Sequence, residues 1–220
     1  MHDPATLLAT IEGRIDQACR IATRERGQVT LIAISKTHPA EAVAPLLEAG
    51  QRVFGENRVQ EAQGKWQPLR ERWPDAQLHL VGQLQSNKAE DAVALFDAIH
   101  SLDRPSLVTA LAKAMDKGGR QVPCFVQVDI GNEPQKGGCP IGELPALIAS
   151  ARDAAIPLAG LMCVPPFGIE PAPFFALLDK LAGDHGLPGR SMGMSSDFET
   201  AIMLGATHVR VGTALFGERD

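Results

Sequence analysis

The sequence predicts a (β/α)8 barrel, and three observations predict it. Short β-branched runs alternate along the chain with stretches of helical apolar period, the pattern of parallel strands joined by covering helices. Eight such runs are present, and 220 residues suit one complete barrel at the small end of that fold's range. No repeat, low-complexity tract or long Pro/Gly/Ser linker divides the chain, so residues 1–220 are expected to form a single domain. An open doubly wound sheet uses the same alternation, and strand counting does not separate the two. The residues at the strand ends must decide.

An extra N-terminal helix comes first: Leu7, Leu8, Ile11, Ile15, Cys19 and Ala22 recur at three-to-four-residue spacing between Pro4 and Gly27. The strands follow as VTLIAIS from Val29, RVFGEN from Arg52, LHLVGQ from Leu78, AIHSLD from Ala98, VPCFVQVDI from Val122, LAGLMCV from Leu158, SMGMS from Ser191 and HVRVGT from His208. Between them lie PAEAVAPLLEAG, the stretch from Arg58 to Arg72, SNKAEDAVALF, PSLVTALAKAMDK, ELPALIASARDA, PAPFFALLDKLAG and DFETAIMLG, each with apolar residues at helical spacing. Gly137-Gly138 and Pro165-Pro166 read as loop punctuation.

Composition excludes several classes of protein. With 45% hydrophobic and 21% charged residues the chain is an ordinary globular one. A net charge of −5 offers no basic patch for nucleic acid or an anionic membrane, and neither partner is expected. Cys19, Cys124, Cys139 and Cys163 form no C-x-x-C pair, which fits a reducing cytoplasm better than a disulfide framework or a zinc site. Asp3, Glu12 and Arg14 interrupt the N-terminal segment, so neither a signal peptide nor a membrane span is expected. None of the 6 histidines forms an H-x-H or H-x-x-x-H pair, and no metal is expected.

In a parallel barrel the ligand site lies where strands end and the following loops begin. Lys36 follows VTLIAIS directly, which carries its amine to the barrel mouth, where drier surroundings favour the neutral, nucleophilic form. Asn57 ends the second strand beside it and offers an amide to a ligand, or else an ordinary helix cap. In GQLQSNK, Gly82 permits a tight turn, and Ser86 or Asn87 with Glu90 reads as a helix cap. In SMGMSSDFE, Ser195 and Ser196 stand between a strand and a helix. Ser196 to Glu199 fits a capping box, leaving Ser195 as the better phosphate ligand. In the last unit Arg210 and Gly212 share a strand face, and Gly212-Thr213 opens the next turn. The loops after the last two strands of such barrels commonly build a phosphate cup. An arginine on a barrel strand is costly to bury unless it meets an anion or an acceptor.

These residues sit in seven blocks: AISKTHP from Ala33, FGENRVQE from Phe54, HLVGQLQSNK from His79, VDIGNEPQKGGC from Val128, GLMCVPP from Gly160, SMGMSSDFETAI from Ser191 and VRVGTALFG from Val209. Together, and in this order, they resemble the YggS-like pyridoxal phosphate homeostasis proteins, also called proline synthetase co-transcribed proteins, over nearly the whole chain. The resemblance implies the fold-type III barrel of the alanine racemase N-terminal domain, with pyridoxal 5′-phosphate (PLP) held as a Schiff base on Lys36. It also implies that Asn57 touches the cofactor ring, that Ser195, Gly212 and Thr213 hold its phosphate, and that Arg210 faces its pyridine nitrogen. Met194 and Met162, on neighbouring strand ends, are expected to line the pocket or to pack the barrel. Lys136 matches a family lysine with a secondary cofactor contact.

The resemblance also sets limits on the chemistry. Racemases take a catalytic tyrosine from a C-terminal β-domain, whereas this sequence ends at Asp220 and contains 0 tyrosines. A guanidinium against the pyridine nitrogen keeps its proton and leaves the ring a poor electron sink. The expected function is therefore reversible capture and supply of PLP by a cytoplasmic monomer, with apo PLP-dependent enzymes as recipients. The alternative is a PLP-dependent enzyme acting on amino acids, such as a weak racemase or lyase. A sugar-phosphate aldolase would place its lysine on a late strand, not after the first. Cys163, near the mouth, is expected to be a buried inert thiol, with a redox role only if its pKa is depressed.

Overall fold

Eight parallel strands close into a ring in this computed structural model, which describes residues 3–217. β1 (Thr30–Ile34), β2 (Val53–Glu56), β3 (Gln77–Leu80), β4 (Ala98–Leu102) and β5 (Cys124–Asp129) pair in chain order. β6 (Cys139–Pro140) is a two-residue strand that pairs only with the end of β5. β7 (Leu158–Met162), β8 (Gly189–Met194) and β9 (His208–Val211) continue the ring, and β9 returns to β1. The β4–β5 and β9–β1 pairings leave the ring no open edge, so the doubly wound alternative is excluded.

The covering layer is α2 (Ala40–Glu48), α3 (Val59–Arg72), α4 (Ala89–Leu95), α5 (Pro105–Gly118), α6 (Leu144–Asp153), α7 (Ala172–Asp184), α8 (Phe198–Met203) and α9 (Thr213–Phe216), preceded by α1 (Pro4–Ile21). Strand residues that face outward meet the apolar stripes of these helices: Phe54 packs on Trp66 of α3 with ring centres 5.1 Å apart, and both are fully buried. The Asp3 carboxylate accepts from the Thr6 amide at 3.2 Å to cap α1, with Pro4 in the first turn. α1 buries Leu8, Ile11 and Ile15 and is tied to α8 by Arg14, which donates twice to Glu199 at 2.9 and 2.8 Å.

Two predicted caps do not form. Glu199 is drawn to Arg14, 185 positions away in sequence, and Asp197 instead accepts from the Met194 amide at 2.6 Å, so the Ser196 capping box is absent. Ser86–Lys88 forms a 3-10 turn ahead of α4 with no side-chain cap, and the Ser86 hydroxyl faces Arg104 at 3.4 Å.

The barrel interior is not wholly apolar. Ile32 and Ile34 fill its upper part against Gly55, where a Cβ would lie 2.5 Å from Ile34 Cδ1. The interior also holds His79, His100, His208, Ser191 and Arg210, the last in register with Ile32, with His100 stacked on Phe125 at 4.2 Å. A polar layer there requires internal hydrogen bonds, and the barrel supplies them.

Candidate functional site

A cavity of about 700 Å³ opens at the carboxyl ends of the strands. Its wall contains seven of the predicted residues, Lys36, Asn57, Met194, Ser195, Arg210, Gly212 and Thr213, drawn from the exits of β1, β2, β8 and β9. Met162 is not among them. It is 1% exposed, in register between Gln127 and Ser191, which favours packing within the barrel over lining the cavity, the two roles the sequence offered.

Lys36 stands two residues past β1 in a turn whose next residue, Thr37, has φ 66°. A β-branched residue in the left-handed region is strained and persists only where its surroundings impose it. Here they do: the Thr37 amide donates to the Glu61 carboxylate, and Lys65 Nζ donates to the carbonyls of Ser35 at 2.6 Å and His38 at 2.9 Å. Lys65 in turn lies 2.6 Å from Glu56, a fully buried carboxylate that also accepts from Ser35 Oγ at 2.6 Å and Trp66 Nε1 at 3.0 Å. The turn that presents Lys36 is thus held on a charge-paired network reaching into α3.

Asn57 follows β2 and does not cap α3, whose cap position is Arg58. The backbone of Asn57 crosses so close to Gly82 that a Cβ there would fall 2.3 Å from Asn57 O. Gly82, at the bend after β3, is therefore also a point of close backbone approach. Ser195 Oγ accepts from the Gly212 amide at 3.3 Å, joining the two loops expected to form the phosphate cup. Thr213 opens the short α9, in which the Leu215 and Phe216 amides both donate to the Gly212 carbonyl, at 2.8 and 3.0 Å.

Arg210 is 5% exposed and donates only to neutral acceptors: Ser191 O and Oγ at 2.8 Å each and Cys163 O at 2.8 Å. Among the described residues no carboxylate forms an ion pair with it, and burial pushes its pKa down. Among the described residues the cavity wall carries Lys36 and Arg210 and no aspartate or glutamate. His38, also on the wall, stacks on Phe216 at 4.5 Å.

Lys136 lies on the loop between β5 and β6 and is engaged by Glu133 at 2.7 Å and by the Pro165 carbonyl at 3.1 Å. Cys163 is fully buried and its thiol is pushed up to about 12, so the inert reading holds. Among the described residues no cluster of metal-ligating side chains occurs, and no helix is long and apolar enough to cross a membrane.

Sequence reasoning did not single out Glu56, Glu61, Lys65 and Trp66. A glutamate in an otherwise apolar strand end was a signal, because a buried carboxylate requires partners. What the sequence did not show was which charge, one helix away, supplies them.

The closed barrel with a lysine leaving its first strand defines an alanine-racemase-type barrel, and residues 8–220 match the family model described as alanine racemase, N-terminal domain. An alanine racemase of Clostridium difficile shares the fold at TM-score 0.72 and 15% identity, over 94% of this chain and 56% of its own. The curated pyridoxal phosphate homeostasis protein of Pseudomonas aeruginosa is 40% identical over 100% of this chain and 97% of its own length. PipY of Synechococcus elongatus, solved with PLP bound, superposes at TM-score 0.83 and 37% identity, covering 93% of this chain and 100% of its own. The chain belongs to the pyridoxal phosphate homeostasis family of alanine-racemase-like barrels.

Proposed function

We propose that this protein binds pyridoxal 5′-phosphate on Lys36 and holds it for the cell's PLP economy, releasing it to apo enzymes that require it. The single observation that carries the reading is Arg210, a buried guanidinium that among the described residues hydrogen-bonds only neutral acceptors, on the wall of a cavity it shares with Lys36. A buried cation of this kind is stabilised by an anionic ligand. A phosphorylated aldehyde of PLP's size offers an electrophilic carbon to Lys36 and negative charge to the site around Arg210, and relatives at 37–40% identity carry the homeostasis name or were solved with PLP.

The cofactor supplies an aldehyde carbon with which a neutral lysine amine condenses reversibly, with loss of water. The protein's residues do the rest. The Glu56–Lys65 network fixes the turn that aims Lys36. Ser195 and Thr213 offer hydroxyls to the phosphate, while Gly212, whose amide holds Ser195 Oγ, lets the backbone approach it. Asn57 offers its amide to the ring, and Met194, 36% exposed, closes one wall. Arg210 can only donate, so a ring nitrogen facing it stays unprotonated. That weakens the ring as an electron sink and favours holding over carbanion chemistry. The free, buried state of all four described cysteines agrees with a reducing cytoplasm.

The test is the visible spectrum of purified protein with PLP, before and after borohydride, with peptide mapping of the reduced adduct. The expected result is an absorbance band removed by borohydride and an adduct on Lys36, absent in Lys36→Ala. Protein that takes up no PLP, or an adduct on another lysine, overturns the reading. Incubation with single amino-acid enantiomers separates binder from enzyme: turnover that depends on Lys36 would establish a racemase or lyase.

A further inference from the structure

Beneath the cavity the barrel axis holds a chain of polar side chains that the proposed function leaves unused. Arg210 Nη1 lies 2.8 Å from Ser191 Oγ, Ser191 Oγ lies 2.9 Å from His100 Nδ1, and His100 Nε2 lies 3.0 Å from His79 Nδ1. The direction of each bond follows from what each group can do. A guanidinium only donates, so Ser191 Oγ accepts from it and directs its own proton to His100 Nδ1. His100 then carries its proton on Nε2 and donates to His79 Nδ1, which places the His79 proton on Nε2.

The rings are neutral, as this scheme requires. Burial pushes His79 down to about 3 and His208 to about 4, and holds His100 well below the ordinary histidine value. A proton on His100 Nδ1 would point a second donor at Ser191 Oγ and leave the hydroxyl hydrogen without an acceptor, a costly arrangement in a buried layer. The other end of the chain reaches a second cavity of about 360 Å³, at the amino ends of the strands, lined by His79, His208, Phe125 and the small residues Ala98 and Gly189. Among the described residues His79 Nε2 has no acceptor, so its proton is presented to that cavity.

We infer that Ser191, His100 and His79 are positioning residues for Arg210: a one-way hydrogen-bond relay that fixes the guanidinium under the cofactor cavity and locks both histidines as Nε2-protonated tautomers. The carbonyls of Ser191 and Cys163 hold the guanidinium from the sheet, and their positions are set by backbone pairing. The Ser191 hydroxyl is the one acceptor that can rotate. His100 removes that freedom by always accepting its proton. The relay thereby links the far end of the barrel to the group that faces the cofactor ring.

This inference rests on the proposed function only in its second arm. In protein without PLP, long-range 1H–15N correlation spectra of the imidazoles should show Nδ1 bare and Nε2 protonated in both His79 and His100. Protonated Nδ1 on His100, or averaged tautomer signals, overturns the relay whatever the cofactor does. With PLP, Ser191→Ala and His100→Phe should weaken binding about tenfold or more and shift the absorption band of the bound cofactor. In Ser191→Ala the His79 ring should also lose its single tautomer. Wild-type affinity and an unshifted band in both variants overturn the positioning role. Should wild-type protein take up no PLP, the cofactor reading fails alone, and the tautomer spectra still decide the relay.

Discussion

Replacing Lys65 with methionine tests how the Lys36 turn is held. The Lys65 side chain is 7% exposed, sits 2.6 Å from Glu56 Oε1, and donates to the Ser35 and His38 carbonyls that bracket Lys36-Thr37. Methionine keeps the length and the apolar stem but leaves the Glu56 charge with only Ser35 Oγ and Trp66 Nε1 as donors, while Glu56 Oε2 already has no partner. Breaking a buried ion pair from one side costs about 3–5 kcal/mol. For a chain of this length that corresponds to a fall of about 6–20 °C in melting temperature. The double variant Glu56→Gln/Lys65→Met no longer strands a charge and should recover about 2 kcal/mol or more. Urea unfolding followed by tryptophan fluorescence reads both, with Trp66 reporting from inside the network. A Lys65→Met loss below about 1 kcal/mol, the size of a surface pair, would refute the reasoning. So would a double variant no more stable than the single one.

Three further outcomes are expected. His79, His100 and His208 are held far below their unfolded value of about 6.5 by burial, so the unfolded state binds protons that the native state refuses. Stability is then complete above about pH 6.5 and falls below it by up to about 1.4 kcal/mol per pH unit for each histidine. Circular dichroism across an acid titration checks this, and a flat profile down to about pH 4.5 refutes it. Gly82→Ala drives a Cβ to 2.3 Å from Asn57 O and 2.7 Å from Asn57 Cα, both backbone atoms that cannot swing away. It should cost about 1–3 kcal/mol and weaken PLP uptake in an absorbance titration by displacing Asn57. Burial pushes the thiols of Cys124 and Cys163 up to about 12 and that of Cys139 to about 11, so native protein should resist iodoacetamide until it unfolds. Mass spectrometry reads the labels, and rapid native labelling of Cys163 would restore it as a redox-sensitive thiol.

The strand exits were legible because in a parallel barrel the end of an apolar run is both a pattern and a place. Lys36, Asn57 and Arg210 could be assigned to one mouth without knowing any contact. The sequence leaves Met162 between lining and packing because a position at a strand end does not say which way the side chain turns, and only its burial favours packing. The Ser196 capping box failed for a related reason: its Glu199 answers Arg14, a partner no local pattern reveals. The relay under Arg210 was hidden entirely. His79 reads from the sequence as a hydrogen-bonded structural residue with no partner named, and only closure of the ring brings His79, His100 and Ser191 from three strands together.

Two polar networks hold this mouth, and they differ in charge. The one under Lys36 pairs Glu56 with Lys65 and is balanced by the protein itself, so it can serve as scaffold in any state. The one under Arg210 ends in a cation whose hydrogen bonds, among the described residues, go only to carbonyls and a hydroxyl, with Asp197 acting on it at longer range, so an anionic ligand would add to its balance. An anion seated above it relieves a cost already built into the fold, which couples binding to stability. A ligand at one hundred times its dissociation constant adds about 2.7 kcal/mol to the folded state. On the proposed function, occupancy and folded-state stability rise together, and protein without the ligand is expected to melt at the lower temperature.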